Sequence, residues 1–492
     1  MFNSKTHLKM KLLKDLLYGI RLLEVRGTTN IAIEGAHYDS RKVGVNGLFI
    51  AIAGTQVDGH DFIDKALDNG AIAVVCESLP ETLREGITYV QTHDTAFALS
   101  GIAANYYDNP SKELKVVGIT GTNGKTTVST LLHELMSQLE GNPQGLLSTI
   151  EVRIGRREIP ATHTTPDPLA IHKHMRDMVD AGVHYCFMEV SSHALMQHRT
   201  AHIDFDIAVF TNLTRDHLDY HGDMNGYIAA KKRLFDQLGS HAIALVNEDS
   251  KYTEQLINGT KAKVKTYALL YPADYKVKIL EQQLDGMLLT INEQECWTKI
   301  IGAFNAYNIS ALYAVCMEFG LDSLQVLTAL STLNAVEGRF QTRNGNGITA
   351  VVDYAHTPDA LQNVLNTIDA LNKGAGKIIT VVGCGGNRDK GKRPQMASIA
   401  AAMSDKVVLT SDNPRNEKPE DILQDMEAGL SPDQKKKCLT IVDRAQGIKA
   451  AIMQAGPGDI VLVAGKGHEK YQEVAGERTH FDDLEHVEQN LK

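Results

Sequence analysis

The middle of the chain contains the stretch Gly118-Ile119-Thr120-Gly121-Thr122-Asn123-Gly124-Lys125-Thr126-Thr127. An apolar run, Leu114-Lys115-Val116-Val117, precedes it, and a helical pattern from Val128 to Leu139 follows it. A strand, a glycine-rich loop and a helix in this order form an anion site, because backbone N–H groups and the helix N-terminus point at phosphate oxygens. The stretch therefore predicts a phosphate-binding loop with ATP as its ligand.

The residue types in this loop suit that chemistry, although the spacing is unusual. Lys125 adds a positive charge, and the Thr126 hydroxyl can reach a magnesium ion. A strict Walker A loop would have glycine at position 119, where this chain has isoleucine. An ordinary glycine-rich turn is the alternative, but Lys-Thr-Thr at the start of a helix favours the phosphate loop. The predicted ATP-binding residues here are Gly121, Thr122, Asn123, Gly124, Lys125, Thr126 and Thr127.

Composition excludes several classes of function. The 492 residues carry a formal net charge of −10, which argues against general nucleic-acid binding. Six cysteines without a CxxC pair are typical of reduced thiols inside a cell. No apolar run is long enough to span a bilayer, and the N-terminus lacks the apolar core of a signal peptide. We therefore expect a cytoplasmic protein without membrane insertion. A monomer is a separate expectation that these observations do not test. A helical leucine pattern begins at Met10, which predicts Met10 as the native start.

Three α/β blocks follow one another along the chain. Near the start, two strand patterns flank a helical one; the middle block continues from the phosphate loop through further strands, with a β excursion at 274–301. In the last block, strands alternate with helical patterns, as in a doubly wound parallel sheet. The predicted fold class is α/β in three domains. These are a small N-terminal α/β domain at 1–112, a central P-loop ATPase domain with a parallel sheet at 113–336 and a C-terminal Rossmann-like doubly wound domain at 337–492.

Polar residues cluster where strands of the last block end. The four clusters are Asp353 with His356, then 383–388, 412–415 and 465–469. In open α/β sheets, ligands bind outside the carboxyl ends of the strands. Solvated loops are the alternative, but four strand ends rich in charge and glycine favour a ligand site.

Two further polar clusters follow strands of the middle block. In Glu189-Val190-Ser191-Ser192-His193, the carboxylate and hydroxyls could hold a metal near the phosphate loop, and Arg199 could pair with a substrate carboxylate. The segment from Asn212 to Gly222 is also dense in polar groups. Taken alone, His217 is more often a structural histidine than a ligand.

Three other segments leave alternatives open. The amphipathic helix 227–235 carries lysines that would normally form a solvated face, and nothing in its spacing singles out Lys231. The amides in Phe304-Asn305-Ala306-Tyr307-Asn308 could cap a helix or reach a base. Thr164-Thr165-Pro166-Asp167 is either a polar turn or a helix start.

Together these segments resemble the Mur ligases, the ATP-dependent amino-acid-adding enzymes of peptidoglycan synthesis. The resemblance covers nearly the whole chain, and it is strongest to the subfamily that adds the third residue of the peptide. Its marks are the phosphate loop, Asp39-Ser40-Arg41, 189–193 with Gln197-His198-Arg199, 215–222, 353–359, 383–394, Asp412-Asn413-Pro414-Arg415 and 465–469.

The resemblance implies a role for each matching position. Ser40 and Gly54-Thr55-Gln56 would bind the uridine nucleotide, and Asn305 and Arg339 would contact ATP. Lys231 matches a lysine that the family carries as an N-carboxylated residue. The implied dipeptide-binding residues are Thr164, Thr165, Ser191, Gln197 and Arg199. The implied magnesium set is Thr126, Glu189, His217 and Lys231. The implied amino-acid site is Arg388, Asp412, Asn413, Pro414, Arg415, Gly465 and Glu469.

The resemblance also implies a reaction. Its substrates would be UDP-MurNAc-L-Ala-D-Glu, meso-diaminopimelate and ATP with Mg²⁺, and an acyl phosphate would form before the amine attacks. Lys125, Lys231, Glu189, His217 and His356 are the expected catalytic residues, with His356 as a candidate proton acceptor. The alternatives are the same ligase using L-lysine, a folylpolyglutamate synthetase-like ligase, and a nucleotide-gated scaffold that ligates nothing. Arg415 favours diaminopimelate, because a guanidinium binds its extra carboxylate and repels the ammonium of lysine.

Overall fold

A computed structural model describes residues 10–54 and 57–492. The expectation of a start at Met10 concerns residues 1–9, which lie outside the described residues, as do Thr55 and Gln56 of the predicted nucleotide loop. Within the described ranges, no helix combines the length and apolar character needed to cross a membrane.

The N-terminal part is built around a five-stranded sheet. Its elements are β1 (Lys11–Leu12), α1 (Leu13–Leu16), β2 (Leu22–Arg26), β3 (Ala32–Ile33), β4 (Gly35–His37), β5 (Gly47–Ile50), α2 (Ile63–Asp68), β6 (Ala71–Cys76), β7 (Thr88–Thr92) and α3 (Thr95–Tyr106). The sheet order is β2-β7-β6-β5-β4. The leucine pattern after Met10 was expected to form a helix, but it forms one helical turn, because Lys11 and Leu12 pair with β3.

The middle part forms an eleven-stranded sheet. Its elements are β8 (Lys115–Thr120), α4 (Lys125–Glu140), β9 (Gly145–Leu147), β10 (Glu151–Ile154), β11 (Arg157–Pro160), α5 (Pro168–Asp180), β12 (Tyr185–Glu189), α6 (Ser192–Met196), β13 (Ile207–Phe210), α7 (Leu218–His221), α8 (Met224–Asp236), β14 (Ile243–Asn247), α9 (Thr253–Ile257), β15 (Lys263–Ala268), β16 (Tyr275–Gln283), β17 (Gly286–Ile291), β18 (Gln294–Thr298), α10 (Ala303–Glu318) and α11 (Ser323–Leu330).

Parallel strands form the centre of this sheet. The order is β11-β10-β9-β12-β8-β13-β14-β15-β16-β17-β18. The seven neighbouring strands β9, β12, β8, β13, β14, β15 and β16 run parallel. Helices α4, α10 and α11 pack on one face, whereas α5, α6 and α8 pack on the other. The predicted β excursion is confirmed as the antiparallel strands β16 to β18. Because β8 lies at the centre, the phosphate loop that follows it sits at the middle of the sheet edge.

The C-terminal part is a six-stranded sheet with helices on both faces. Its elements are β19 (Gln341–Gly345), β20 (Ile348–Asp353), α12 (Pro358–Asn372), β21 (Ile378–Val382), α13 (Lys392–Met403), β22 (Lys406–Thr410), α14 (Pro419–Glu427), α15 (Pro432–Lys435), β23 (Cys438–Ile441), α16 (Arg444–Met453), β24 (Ile460–Ala464), β25 (Tyr471–Val474), β26 (Glu477–His480) and α17 (Asp483–Asn490).

This sheet confirms the predicted doubly wound fold. Its order is β19-β20-β24-β21-β22-β23, with β19 antiparallel at the edge and the other five strands parallel. Helices α12, α13 and α14 cover one face, and α16 and α17 cover the other. Strands β20, β24, β21 and β22 are neighbours, so the four polar strand ends meet at one edge of the sheet.

Candidate active site

The phosphate loop is tightly packed, and glycine is required at two of its positions. Gly121 has a φ of +153°, and a Cβ there would lie 1.9 Å from Thr211 Oγ1. Gly124 has a φ of +88°, and a Cβ there would lie 2.7 Å from Asn308 Oδ1. The backbone can therefore approach a phosphate closely only without side chains at these positions.

Lys125 closes this loop from the first turn of α4. Its Nζ donates to the carbonyl oxygens of Gly121 at 3.0 Å and of Thr122 at 2.9 Å. Asn212 Oδ1 accepts a hydrogen bond from the Asn123 N–H at 3.0 Å, which fixes the loop to the segment after β13. Burial lowers the pKa of Lys125, because it disfavours the charged form. Phosphate oxygens next to Nζ would stabilise that charge.

Thr126 and Glu189 form the polar floor beneath the loop. Glu189 is fully buried at the end of β12. Its Oε2 accepts from Thr126 Oγ1 at 2.9 Å, and its Oε1 accepts from the Thr149 N–H at 2.7 Å. A carboxylate so deeply buried needs a cation nearby. Two cations lie near Glu189. One is Lys125, and the other is Arg339, whose Nη2 donates to Thr126 Oγ1 at 3.1 Å.

These oxygens fit a magnesium ion that also takes phosphate oxygens. Mg²⁺ is usually held by one or two protein oxygens with substrate phosphates and waters. Within the described part of the chain, no three His, Cys, Asp or Glu side chains are close enough together to hold a metal by themselves. Thr126 and Glu189 could therefore hold the ion only jointly with a nucleotide.

His217 lies in a cluster of rings beside the loop. It precedes α7 with a φ of +54°, and its Nε2 lies 3.3 Å from Asp216 Oδ2. Its ring centroid is 4.9 Å from that of His193 and 6.3 Å from that of Tyr227. Burial lowers the pKa of His217, with Asp216 opposing the shift, which favours the neutral imidazole. A neutral imidazole is the form that can bind a metal.

Lys231 is buried, contrary to the expectation of a solvated face on α8. Its side chain is 1% exposed, and Nζ donates to the Gly121 carbonyl oxygen at 2.7 Å. The ammonium lies 4.7 Å from the ring centre of Tyr227. Burial holds the pKa of Lys231 well below its usual range, and the positive charge of Lys125 lowers it further. The structure therefore favours a neutral amine next to the phosphate loop.

A hydrogen-bonded network joins the predicted dipeptide-binding residues. Thr165 Oγ1 donates to the Glu189 carbonyl oxygen at 2.8 Å and lies 3.3 Å from Ser191 Oγ. The Arg199 guanidinium donates to the Thr165 carbonyl oxygen at 2.7 Å and to Gln197 Oε1 at 2.6 Å. Thr164 Oγ1 accepts from Thr149 Oγ1 at 3.1 Å, which joins Thr164 to the same patch.

Arg199 supplies the positive charge of this network. Burial lowers its pKa, with Asp167 and Tyr38 opposing the shift. Tyr38 comes from the N-terminal sheet, where burial and a hydrogen bond to Asp167 raise its pKa to about 12. The Asp167 carboxylate caps α5, so the turn at 164–167 is a helix start. Arg199 thus lies where the N-terminal and middle parts meet.

Ser40 lies further out on the N-terminal part. It opens a single 3-10 turn at Ser40–Lys42 and is buried. The Asn69 amide donates to its carbonyl oxygen at 2.8 Å. Among the described contacts, none connects Ser40 to the network around Arg199.

The strand ends of the C-terminal sheet converge as predicted. Asn413 Nδ2 donates to Glu469 Oε2 at 2.7 Å, and the Gly386 N–H donates to the Asn413 carbonyl oxygen at 2.9 Å. A Cβ at Gly465, whose φ is +120°, would lie 2.7 Å from Asp412 Oδ2. Burial and the neighbouring Asp412 raise the pKa of Glu469. This edge is a compact acidic site.

Arg415 lies beside these acidic groups. Its backbone is left-handed, with a φ of +53°, and its N–H donates to the Glu473 carbonyl oxygen at 3.0 Å. Nη1 donates to the Gly386 carbonyl oxygen at 2.9 Å. Within the described chain the guanidinium makes no ion pair at 4.0 Å or less, which leaves it free for a ligand carboxylate. Pro414 is buried, and its carbonyl oxygen would lie 1.9 Å from a Cβ at Gly386.

Three other predicted residues lie near the gap between the middle and C-terminal parts. Arg388 is exposed on the loop before α13. Burial is the main cause that lowers the pKa of His193, and the charge of Arg388 adds to it. His356 Nδ1 lies 2.9 Å from the Tyr354 carbonyl oxygen, and burial lowers the pKa of His356 to about 4. Asn305 does not cap α10, because Gly302 precedes the helix and the Asn305 amide donates to the Ile301 carbonyl oxygen at 2.7 Å.

Two residues of the site had no predicted role. Asp359, at the start of α12, accepts a hydrogen bond from the Asn123 side chain at 3.2 Å and so connects the phosphate loop to the C-terminal part. Lys466 is fully buried among Asp412, Asn413 and Glu469. The signal for Lys466 was its place in the strand-end cluster 465–469. Lys231 shares one helix face with Tyr227, Ala230 and Leu234, but that pattern alone does not distinguish a buried lysine from one that extends to solvent.

Family models and known proteins match almost the whole chain. The matching models are described as "Mur ligase family, catalytic domain" at 32–107, "Mur ligase middle domain" at 119–316 and "Mur ligase, glutamate ligase domain" at 338–467. A UDP-N-acetylmuramoyl-L-alanyl-D-glutamate–2,6-diaminopimelate ligase of Parabacteroides distasonis is 50% identical over 96% of this chain and 97% of its own. The protein of the same name from Cytophaga hutchinsonii is 51% identical with the same coverage.

A solved structure is also similar. It carries the same ligase name, is 32% identical to this chain and superimposes with a TM-score of 0.69. The match covers 98% of this chain and 99% of the other. The similarity therefore extends through all three parts of the fold.

Proposed function

Because the chain belongs to the Mur ligase family, we propose that it is an ATP-dependent ligase that adds meso-diaminopimelate to the D-glutamyl carboxylate of UDP-MurNAc-L-Ala-D-Glu. Two relatives that are 50% and 51% identical to this chain, over 97% of their own length, carry the name of that ligase. The observation that carries the proposal is the pairing of two sites across one gap. Arg339 and Tyr354 connect the two: Arg339 donates to Thr126 beneath the phosphate loop and lies over the Tyr354 ring, and the Tyr354 hydroxyl lies 3.5 Å from Glu469.

ATP binding is assigned to the phosphate loop and its neighbours. Backbone N–H groups of the loop and the N-terminus of α4 stabilise the phosphates, and Lys125 supplies a positive charge. Because Lys125 is buried, its charge is unfavourable without an anionic partner, and a phosphate would be that partner. Asn305 supports the loop through Asn308, which donates to Asn305 Oδ1 at 2.9 Å and lies next to Gly124. Arg339 approaches from the C-terminal part.

Thr126 and Glu189, with His217 nearby, would hold the magnesium ion. When bound, the ion neutralises charge on the phosphate oxygens during phosphoryl transfer. The protein's own contribution is to hold these oxygens in place. The Thr149 N–H and the Thr126 hydroxyl fix both oxygens of the Glu189 carboxylate.

The substrate carboxylate attacks the γ-phosphate of ATP, so ADP leaves and an acyl phosphate forms. Lys125, Arg339 and the loop N–H groups stabilise the charge on the transferring phosphoryl group. Arg199, held by Gln197 and the Thr165 carbonyl, is the group suited to bind a carboxylate of the dipeptide. The amine of diaminopimelate then attacks the acyl carbon and expels phosphate.

The attacking amine must lose protons during this step. His356 is neutral, because burial lowers its pKa to about 4, and its Nδ1–H is occupied by the Tyr354 carbonyl oxygen. Its Nε2 therefore carries the lone pair that can accept a proton. A histidine with so low a pKa is a weak base, so it serves best as a relay to solvent.

We assign Lys231 as an N-carboxylated lysine in the working enzyme. A neutral amine adds to CO2 and loses one proton, which gives a carbamate. Burial and the Lys125 charge both favour the neutral amine. A carbamate would place a negative group beside the positive charge of Lys125, where the amine has only the Gly121 carbonyl oxygen and the Tyr227 ring as partners. The modification would therefore add a favourable charge pair.

Diaminopimelate fits the strand-end edge better than lysine does. Arg415 is free to bind the distal carboxylate with two parallel hydrogen bonds, and the acidic pair Asp412 and Glu469 suits an ammonium. Lysine carries the distal ammonium without a carboxylate, so Arg415 would have no partner and the unneutralised ammonium would repel it.

The test is ATP turnover by the purified chain. ADP release must require both the UDP dipeptide and diaminopimelate, and Arg415→Ala should raise the KM for diaminopimelate by about tenfold or more, since a charged hydrogen bond contributes roughly 1.5–3 kcal/mol. ADP release without the dipeptide, or an unchanged KM in Arg415→Ala, would contradict the proposal.

A further inference from the structure

Lys466 is a buried cation at the end of β24. Its side chain is 0% exposed, which is rare for lysine. Nζ donates to Asn413 Oδ1 at 2.9 Å, and it lies 3.5 Å from Glu469 Oε2 and 4.0 Å from Asp412 Oδ1. One ammonium therefore contacts three side chains of the proposed amino-acid site.

We propose that Lys466 is a positioning residue that sets how this site receives the ammonium group of its amino acid. It orients the Asn413 amide and holds Asp412 and Glu469 together as an ionised pair. The inference rests on the proposed function, since it takes the strand-end edge as the amino-acid site.

Lys466 decides which end of the Asn413 amide faces Glu469. Asn413 Oδ1 accepts from Lys466 Nζ and also from the Glu473 N–H at 3.0 Å. Both partners are donors, so the amide oxygen must face them and the NH2 group must face Glu469 Oε2, 2.7 Å away. Without the lysine, one of the two donors that fix this orientation is lost.

Lys466 also offsets the repulsion between two carboxylates. Asp412 and Glu469 are both largely buried, and like charges in one site push a pKa upward. In the described part of the chain, Lys466 is the cation within 4.0 Å of both carboxylates. Lys466 Nζ also lies 5.6 Å from the ring centre of Tyr471. This ring is uncharged, so it does not compete with the carboxylates for the ammonium.

The other charged and titratable groups around this pair are occupied or more distant. Arg444, from α16, is paired with Asp483 of α17 at 2.6 Å. Arg415 donates to the Gly386 carbonyl oxygen, and its charge lowers the pKa of Glu469 less than the charge of Lys466 does. Tyr354 lies 3.5 Å from Glu469 through its hydroxyl, and burial raises the pKa of Tyr354, so it stays neutral.

Two variants separate orientation from charge. Lys466→Met removes the donor and the charge, whereas Lys466→Gln keeps a donor and removes the charge alone. Lys470→Met is the matched control, because Lys470 is four residues on, half exposed and paired with Glu337 outside the site. For each variant, the KM values for diaminopimelate, ATP and the UDP dipeptide are measured from about pH 6.5 to about pH 9, with thermal melting as the folding check.

The expected result is a selective and pH-dependent effect. Lys466→Met should raise the KM for diaminopimelate about tenfold or more near neutral pH, since one unit of pKa is a tenfold change. The KM values for ATP and the dipeptide should stay within about twofold, which is the scale of a lost surface interaction. The rise in KM should shrink as pH increases. Without Lys466, the Asp412–Glu469 pair holds a proton because its two carboxylates repel each other, and the pair loses that proton at higher pH. Lys466→Gln should retain that pH dependence with a smaller rise, and Lys470→Met should match the wild type.

Two results would overturn the proposal. They are a normal KM for diaminopimelate in a folded Lys466 variant, and an equal rise in all three KM values. If Lys466→Met does not fold, the same comparison on Lys466→Gln decides. An inactive wild type would instead disprove the proposed function, whereas an active wild type with normal Lys466 variants would disprove this inference alone.

Discussion

Arg339 donates a hydrogen bond from Nη2 to the Thr126 hydroxyl at 3.1 Å, across the gap between the C-terminal and middle parts. Its guanidinium also lies 4.5 Å from the ring centre of Tyr354. Thr126 in turn donates to Glu189 beneath the phosphate loop. The C-terminal part thus places a cation beside the phosphate loop, and under the proposed function phosphoryl transfer would require both parts to be in place.

Removing this cation should impair the chemical step. Arg339→Ala is expected to lower kcat about a hundredfold, the usual cost of losing one group that stabilises transition-state charge. Arg343→Ala is the matched control, because Arg343 is partly exposed and pairs with Glu488 away from the site. Initial rates of ADP release check this, and a kcat within a few-fold of wild type in Arg339→Ala would exclude the role.

The loop lysine should matter at least as much. Lys125→Ala is expected to abolish ligation, with a loss of roughly a hundredfold or more, while the fold stays intact. The reason is that Lys125 spans the loop through the Gly121 and Thr122 carbonyls, and this loop is the proposed phosphate site. Turnover assays with circular dichroism as the folding check measure this. Near-normal turnover would mean that the loop is not the ATP site.

Lys231 should be carboxylated, and its neighbour should be dispensable. Lys231→Ala is expected to be inactive and partly rescued by acetate, which restores a carboxylate in the vacated space. Lys232→Ala should be close to wild type, because Lys232 lies on the outer side of α8 and pairs with Asp236. Labelled bicarbonate followed by spectroscopy of the intact enzyme tests the carbamate directly. Full activity of Lys231→Ala together with an unlabelled lysine would rule the modification out.

Removing one partner of the buried pair Arg444–Asp483 should strongly destabilise the fold beneath the strand-end site. Both side chains are 0% exposed, and Arg444 also donates to the Ser411 and Ala464 carbonyl oxygens at 3.3 and 3.1 Å. Asp483→Asn leaves a buried charge unpaired, which typically costs about 3–5 kcal/mol. Thermal melting should show a clear drop, whereas Glu488→Gln, at a surface pair, should change little. Equal melting temperatures for the two variants would contradict this.

Much of the fold followed from periodicity and strand ends. The loop at 118–127 required a strand before it and a helix after it, and β8 and α4 are found there. The strand ends at 353, 383, 412 and 465 could be assigned to one edge because parallel strands place their carboxyl ends together. The helix expected after Met10 failed because pairing with β3 took its first residues, which is a long-range contact that no local pattern reports.

Burial of charged side chains was the part that sequence could not supply. Lys231 and Lys466 are both enclosed, although lysine is normally exposed. Lys231 shares a helix face with Tyr227 and Leu234, but an amphipathic pattern does not distinguish a buried lysine from one that extends to solvent. Contacts across the gap, such as Asn123 with Asp359, join residues far apart in sequence and depend on how the parts pack.

The most direct test is a comparison of amino acids in the complete reaction. Purified enzyme is incubated with the UDP dipeptide, ATP, magnesium and either meso-diaminopimelate or L-lysine, and the products are identified by mass. We expect the diaminopimelate adduct with one ADP and one phosphate per product, and little lysine adduct, because under the proposed function Arg415 would bind the distal carboxylate that lysine lacks. Equal use of L-lysine, or no adduct with either amino acid, would contradict the account.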